Sequence, residues 1–172
     1  MKEINQKGRD GVLVIGYVMF LLGSAYFVPF LWFFVEKHVF WSNLLPEILA
    51  ALFFILPIRL LFKEPFRIPS FMVSGALFFY GMTRIQRAVE QIHFIEYGML
   101  AFFLFRFLKH SLKSPWSYAG SVAGAFGVGV VDELIQGLLP NRFFDPRDIW
   151  INLWSAALGM MVIATLSMPR TL

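Results

Sequence analysis

Three stretches of this chain put acidic, amide and imidazole side chains where an apolar run would otherwise continue. In HFIEYGML, His93 to Leu100, His93 and Glu96 stand three residues apart, with Tyr97 one position further on. That spacing sets all three on one face of a helix. In DELIQ, Asp132 and Glu133 are followed by Gln136, three residues after Glu133. In FFDPRDIWIN, Asp148 and Asn152 stand four residues apart at the start of a helix, and Arg142 lies in the loop before it. Histidine titrates nearest neutral pH, so His93 is the candidate general base, and Glu96 or Glu133 could supply the carboxyl acid. Arg142 could hold a phosphate or carboxylate through two parallel hydrogen bonds, while Gln136 and Asn152 orient the partners. The candidate catalytic set is therefore His93, Glu96, Asp132, Glu133 and Gln136, and the candidate binding set is Tyr97, Arg142, Asp148 and Asn152. These roles fit hydrolysis or group transfer without selecting one.

The segments that carry these residues are apolar. Of the 172 residues 58% are hydrophobic and 15% charged, against about 45–50% and about 25% in a soluble domain. The apolar residues come in unbroken blocks, not at amphipathic spacing, which points to lipid as the solvent. The blocks run Gly11 to Val35, Leu44 to Leu61, Phe66 to Met82, Ile92 to Leu108, Trp116 to Leu139 and Ile149 to Met168. A transmembrane helix needs about 20 mostly apolar residues. Five blocks meet that length; the third, bracketed by Arg67 and Arg84, is either a short span or a re-entrant piece. The expectation is an all-α, polytopic transmembrane helical bundle of about six spans, five if the third block is re-entrant, forming one membrane domain over residues 1–172.

An ionisable group in hydrocarbon costs at least about 2.5–3.5 kcal/mol, which makes the embedded polar residues functional candidates. At a rise of about 1.5 Å per residue, Glu96 lies about 9 Å in from Glu90, Glu133 about 9 Å in from Leu139, and Asn152 about 6 Å in from Asp148. All three enter from one side of the membrane. Six spans with both termini in the cytoplasm put Lys2, Lys7, Arg9, Arg59, Lys63, Arg67, Arg106, Lys109, Lys113 and Arg170 inside, and Lys37, Arg84, Arg87, Arg142 and Arg147 outside. This ten-to-five bias follows the positive-inside rule and opens the polar pocket to the extracytoplasmic side. The basic stretch from Lys2 to Arg9 resembles the start of a secretory signal, but the apolar run after it exceeds the usual 7–15 residues of a cleavable one. It reads as a retained anchor. Trp32, Trp41, Trp116 and Trp150 fall near expected span ends, where amphipathic rings prefer the headgroup region.

Several classes are excluded. With no cysteine, disulfides, thiolate zinc sites, cysteine nucleophiles and c-type haem attachment are impossible. The fifteen basic residues are scattered between apolar blocks, which argues against a nucleic-acid partner. No phosphate-binding glycine loop or dinucleotide fingerprint is present, so no cofactor is expected. Zinc chemistry usually takes two or three histidine or acidic ligands; with only His93 embedded, no metal is expected. Pro46, Pro65, Pro115, Pro140 and Pro146 sit at block ends, where a missing backbone donor costs least, and Pro29 and Pro57 lie inside blocks. Ala119, Gly120, Ala123, Gly124 and Gly127 give the fifth block small residues for close helix packing.

At HFIEYGML and DELIQGLLPNRFFDPRDIWIN (Asp132 to Asn152) the sequence resembles the VanZ-like family. The matching pattern is a histidine with a nearby acidic or aromatic residue, then E-x-x-Q, P-x-R, and Asp followed by Asn. The resemblance covers residues 89–160 as a core, leaving 1–88 as additional N-terminal transmembrane helices, and Asn141 stands where glycine is common. It implies a bacterial inner-membrane protein, and the founding member is associated with resistance to the glycopeptide teicoplanin.

Two readings of the polar residues follow. In one, the pocket handles or modifies a cell-envelope membrane lipid, a lipid-linked precursor or a lipophilic glycopeptide; enzyme status is left open. In the other, a non-catalytic protein uses the same residues to bind a ligand or to staple its helices, with Arg142 paired to Asp148 or Glu133 and His93 donating to a carbonyl. His38 and His110, beside lysines, read as interfacial. Arg84 and Arg87 read as a solvated face that could also gather anionic headgroups at the pocket mouth.

Overall fold

The computed structural model describes residues 2–36, 39–55, 58–140 and 142–167. Among these, every regular element is a helix: α1 (Lys2–Glu36), α2 (Val39–Ile55), α3 (Ile58–Lys63), a 3-10 turn (Pro65–Arg67), α4 (Ile68–Thr83), α5 (Ala88–Leu108), α6 (Trp116–Leu138) and α7 (Pro146–Ser167). Stretches long and apolar enough to cross a membrane occur in α1 (Asn5–Phe27), α5 (Glu90–Leu108), α6 (Trp116–Leu138) and α7 (Pro146–Ser167). The second and third apolar blocks form shorter helices: α2 has 17 residues and is followed by the six-residue α3, and α4 has 16. At about 1.5 Å per residue α4 rises about 24 Å, less than the hydrocarbon thickness of about 30 Å. Among the described residues, length and composition therefore single out four candidate spans. Lys37, His38, Pro57, Asn141 and Arg170 lie outside the described residues, as do the side chains of Pro29, Trp32, Trp41 and Arg59.

Proline marks three helix starts. Pro69 occupies the first turn of α4, Pro115 directly precedes α6, and Pro146 is the first residue of α7. Its fixed φ suits those positions and its missing N–H loses no helical bond there. Pro46 instead lies inside α2, because that helix begins at Val39, before the apolar block itself.

The core has two parts that share α5 and α7. Leu21 of α1 joins Tyr97, Leu100 and Phe105 of α5, Ala125 of α6 and Ala156, Met160 and Ile163 of α7. On the other side Ala50 of α2 meets Phe78 and Met82 of α4, Phe94 and Ile95 of α5 and Val162 of α7. Large apolar side chains such as Val12, Ile15, Met19, Leu134, Trp150 and Trp154 remain exposed, as surfaces that face lipid do. At the α5–α7 crossing the backbones touch: a Cβ on Gly159 would sit 2.9 Å from Gly98 Cα. On α6, Gly120 and Gly124 receive Leu108 and Leu104 of α5, whereas Gly127 faces open space.

Helix α1 runs antiparallel to α5. Near its start, Asp10 accepts a hydrogen bond from Arg106 at 2.6 Å and lies 3.0 Å from His110 Nε2, both at or beyond the last turn of α5. Further along, the Tyr17 hydroxyl donates to the Glu96 carbonyl at 3.2 Å. The start of α1 and the α5–α6 loop thus occupy one face of the bundle. The start of α5, the end of α6 and the start of α7 occupy the other.

Candidate functional site

That second face gathers the polar residues. His93 and Glu96 point from consecutive turns of α5, with His93 Nδ1 3.3 Å from Glu96 Oε2, an ion-pair distance. Tyr97, fully buried, donates its hydroxyl to Asp132 Oδ2 on α6 at 3.1 Å. Gln136, one turn along α6, donates to the same oxygen at 3.1 Å. Two donors on one oxygen fix the Asp132 carboxylate, which is 1% exposed. Glu133 turns toward the α6–α7 loop, where its Oε2 accepts the backbone N–H of Asp145 at 3.1 Å. Asn152, one turn into α7, is buried against Gly129 of α6, where an added Cβ would lie 3.3 Å from Asn152 Nδ2 and 3.3 Å from Tyr97 Cε1. Glycine at that position is what lets α5, α6 and α7 close around these side chains.

The cluster is incompletely bonded. Asp132 Oδ1, Arg142 Nε and Nη2, Asp148 Oδ1 and Asn152 Oδ1 are all buried without a hydrogen-bond partner. Such atoms are uncommon, since about 90% or more of buried polar groups are paired, and each costs about 1–3 kcal/mol of lost solvation. They also share one electrostatic neighbourhood: His93 interacts with Glu96, Asp132 and Arg142, and Glu133 and Asp148 interact with each other and with His93. Arg142 presents unmet donors; Asp132, Asp148 and Asn152 present unmet acceptors. A ligand carrying an anionic group for Arg142 and hydroxyl or amino donors for the carboxylates would satisfy them together. Among the described residues no three His, Asp or Glu side chains are placed to hold a metal ion.

The structure thus brings His93, Glu96, Tyr97, Asp132, Glu133, Gln136, Arg142, Asp148 and Asn152 to one end of three helices, but with its own pairings. Gln136 bonds Asp132, not Glu133, and Arg142 forms no ion pair with Asp148 or Glu133. Sequence reasoning passed over Glu90, Asp145 and Arg147. Arg147 donates to Glu90 Oε1 at 2.7 Å and its backbone N–H to Asp145 Oδ1 at 2.9 Å, which ties the start of α7 to the start of α5. The available signal was the charge run D-P-R-D immediately before an apolar helix. Asp10 was also missed, and His110 proves to be its partner, at the opposite face.

A family model described as VanZ/LLP1 matches residues 3–167, taking in the N-terminal helices as well as the segment from 89 to 160. No curated protein and no solved structure matches the chain.

Proposed function

The chain belongs to the VanZ/LLP1 family, and on that footing we propose that its polar cluster receives the head of a cell-envelope lipid, a lipid-linked precursor or a lipophilic glycopeptide at the extracytoplasmic face of a bacterial inner membrane. The observation that carries this reading is the group of buried, unpartnered atoms on Asp132, Arg142, Asp148 and Asn152. Unmet polar atoms destabilise the fold unless something completes them. Arg142 draws the anionic part of the ligand, Asp132 and Asn152 take its donors, and His93, oriented by Glu96, is the candidate general base.

Sidedness follows from charge. Lys7 and Arg9 share a face with Arg106, Lys109 and Lys113, while the opposite face mixes Arg84, Arg87, Arg142 and Arg147 with Glu90, Asp145 and Asp148. The positive-inside rule assigns the first face, and with it both termini, to the cytoplasm. Because α1 and α5 are antiparallel, the chain between them crosses an even number of times. The polar face is therefore outside whether α2 and α4 both span, giving six crossings, or neither does.

Teicoplanin susceptibility tests the reading in a sensitive bacterium that expresses wild type, Asp132→Asn or Glu133→Gln, with each protein quantified in the membrane. Protection by wild type that is lost in Asp132→Asn at equal protein amount supports the pocket. Protection retained by both variants overturns it. Protection lost only together with the protein favours the second reading, in which these residues staple helices.

A further inference from the structure

Outside the polar cluster, the ends of α4, α5 and α7 enclose a groove of about 730 Å³, within the roughly 300–1,000 Å³ typical of small-molecule sites. Its lower walls are apolar: Leu77 from α4, Phe94 from α5, and Ile151, Trp154 and Leu158 from α7. Its upper rim is cationic, with Arg84, Arg87 and Arg147 against one acidic residue, Glu90, a net charge of 3 − 1 = +2. The three cations are not equivalent. Arg147 is engaged with Glu90 at 2.7 Å and Asp145 at 3.6 Å. Arg87 is 77% exposed and 3.6 Å from Glu90. Arg84 carries its guanidinium 5.5 Å from the centre of the Tyr80 ring, itself part of the wall. Arg84 and Arg87, the latter sharing Glu90 with Arg147, thus face the water layer directly above a greasy slot.

From this arrangement we infer that the groove binds one anionic phospholipid, its phosphate between Arg84 and Arg87 and an acyl chain along Leu77, Phe94, Trp154 and Leu158. The pattern is that of an amphiphile with one negative end: apolar surface at hydrocarbon depth, surplus positive charge at headgroup depth, and no further acidic group in the lining to receive a choline or ethanolamine cation. Guanidinium suits the task, since its fork matches two phosphate oxygens where a lysine would offer a point charge. Arg147 links the groove to the polar cluster, because the same residue holds Glu90 at the rim and bonds Asp145, whose N–H is held by Glu133. A lipid seated here has its headgroup joined to that cluster through the chain Arg87, Glu90, Arg147, Asp145 and Glu133. The groove site rests on its own residues, and only the onward delivery of the lipid rests on the reading given for the polar cluster.

The test is lipid affinity of the purified full-length protein in a non-ionic detergent, measured with phosphatidylglycerol and with phosphatidylcholine of the same chains. Wild type should prefer phosphatidylglycerol. The double variant Arg84→Gln/Arg87→Gln, both at exposed positions, should weaken phosphatidylglycerol binding about 25-fold, which at tenfold per 1.4 kcal/mol is about 2 kcal/mol for two surface arginines. Leu77→Trp, at a position 41% exposed, fills the slot without touching the core and should weaken binding too. Equal affinity for the two lipids, or affinity that survives either the double variant or Leu77→Trp, overturns the site. Val12→Ala, on the exposed surface of α1, lies outside both the groove and the polar cluster and should leave lipid affinity unchanged, while a failure of the polar-cluster reading shows in the antibiotic susceptibility of Asp132→Asn. A loss of lipid affinity in Val12→Ala equal to that in the double variant would show that the arginines act through the fold and overturn the groove.

Discussion

Asp10 and Arg142 carry opposite charges at opposite faces of the bundle, and their surroundings differ in kind. Asp10 is 1% exposed and has two cationic or polar partners, Arg106 at 2.6 Å and His110 at 3.0 Å. Arg142 buries two nitrogen atoms that have none. The first is a staple, whereas the second has two buried donors that hold nothing together, so their removal should have contrary effects. Asp10→Asn should lower folding stability by about 1.5–3 kcal/mol, the usual worth of hydrogen bonds to a charged group. It should leave the polar face intact, because the staple lies at the other end of α5. Arg142→Met should hold or raise stability, by up to about 3 kcal/mol, since it deletes buried unpaired donors and keeps most of the volume. Protection in the susceptibility assay should nevertheless be lost. Thermal unfolding of the two purified variants in detergent checks the pair, and a marked destabilisation by Arg142→Met would show that its nitrogen atoms already serve the fold.

Helix packing decides how the polar residues meet. The α5–α7 contact depends on Gly98 and Gly159, and a Cβ on Gly159 would press on Gly98 backbone atoms at 2.9–3.4 Å. Gly159→Ala must therefore spread the two helices, and should cost about 1–3 kcal/mol, the usual range for overpacking. On α6 the contrast lies within one helix: Gly127 has nothing within 4 Å of its added Cβ, whereas at Gly129 Asn152 and Tyr97 stand at 3.2–3.3 Å. Gly127→Ala should be neutral or stabilising by up to about 1 kcal/mol through helix propensity, and Gly129→Ala should displace Asn152 and Tyr97 and reduce function. Unfolding midpoints and susceptibility, measured on both variants, test this directly. The helices themselves were readable from the apolar blocks, and the spacing of three between His93 and Glu96 corresponds to a 3.3 Å contact. The pairing on α6 was not readable. Residues three and four apart share a face, so helical period alone cannot choose between Glu133 and Asp132 as the partner of Gln136. The choice is tertiary: Asp145 takes Glu133 from the loop, and Tyr97 reaches Asp132 from α5. The end of α3 at Lys63 was hidden for a related reason, because apolar composition marks what is buried in lipid without marking where a helix stops.

At the scale of the whole molecule the question is how many times the chain crosses, and charge and geometry together define an answer that can be measured. The turn between α3 and α4 carries Lys63, Glu64 and Arg67, with Arg67 Nε 3.9 Å from Glu64 Oε2. From there α4 climbs about 24 Å, at about 1.5 Å per residue, to the face that holds Arg84 and Arg87. A charged tip at that depth is costly in hydrocarbon, about 2.5–3.5 kcal/mol per charge, and cheap at the far interface. Hydrophobic mismatch over a few ångström costs only fractions of a kcal/mol per Å. On that balance the expected outcome is a crossing hairpin with locally thinned lipid, and so six crossings, a count that cysteine labelling checks. The chain has no cysteine, so single cysteines can be introduced without background and probed with a membrane-impermeant thiol reagent on intact and permeabilised cells. Gln86→Cys should react on intact cells and Lys113→Cys only after permeabilisation; the reverse would invert the orientation and place the polar face in the cytoplasm. Lys63→Cys should behave as Lys113→Cys does. If instead it reacts under neither condition, the tip stops inside the membrane, α2 and α4 form a re-entrant pair beneath the arginine-rimmed groove, and the bundle has four crossings with its polar face still outward.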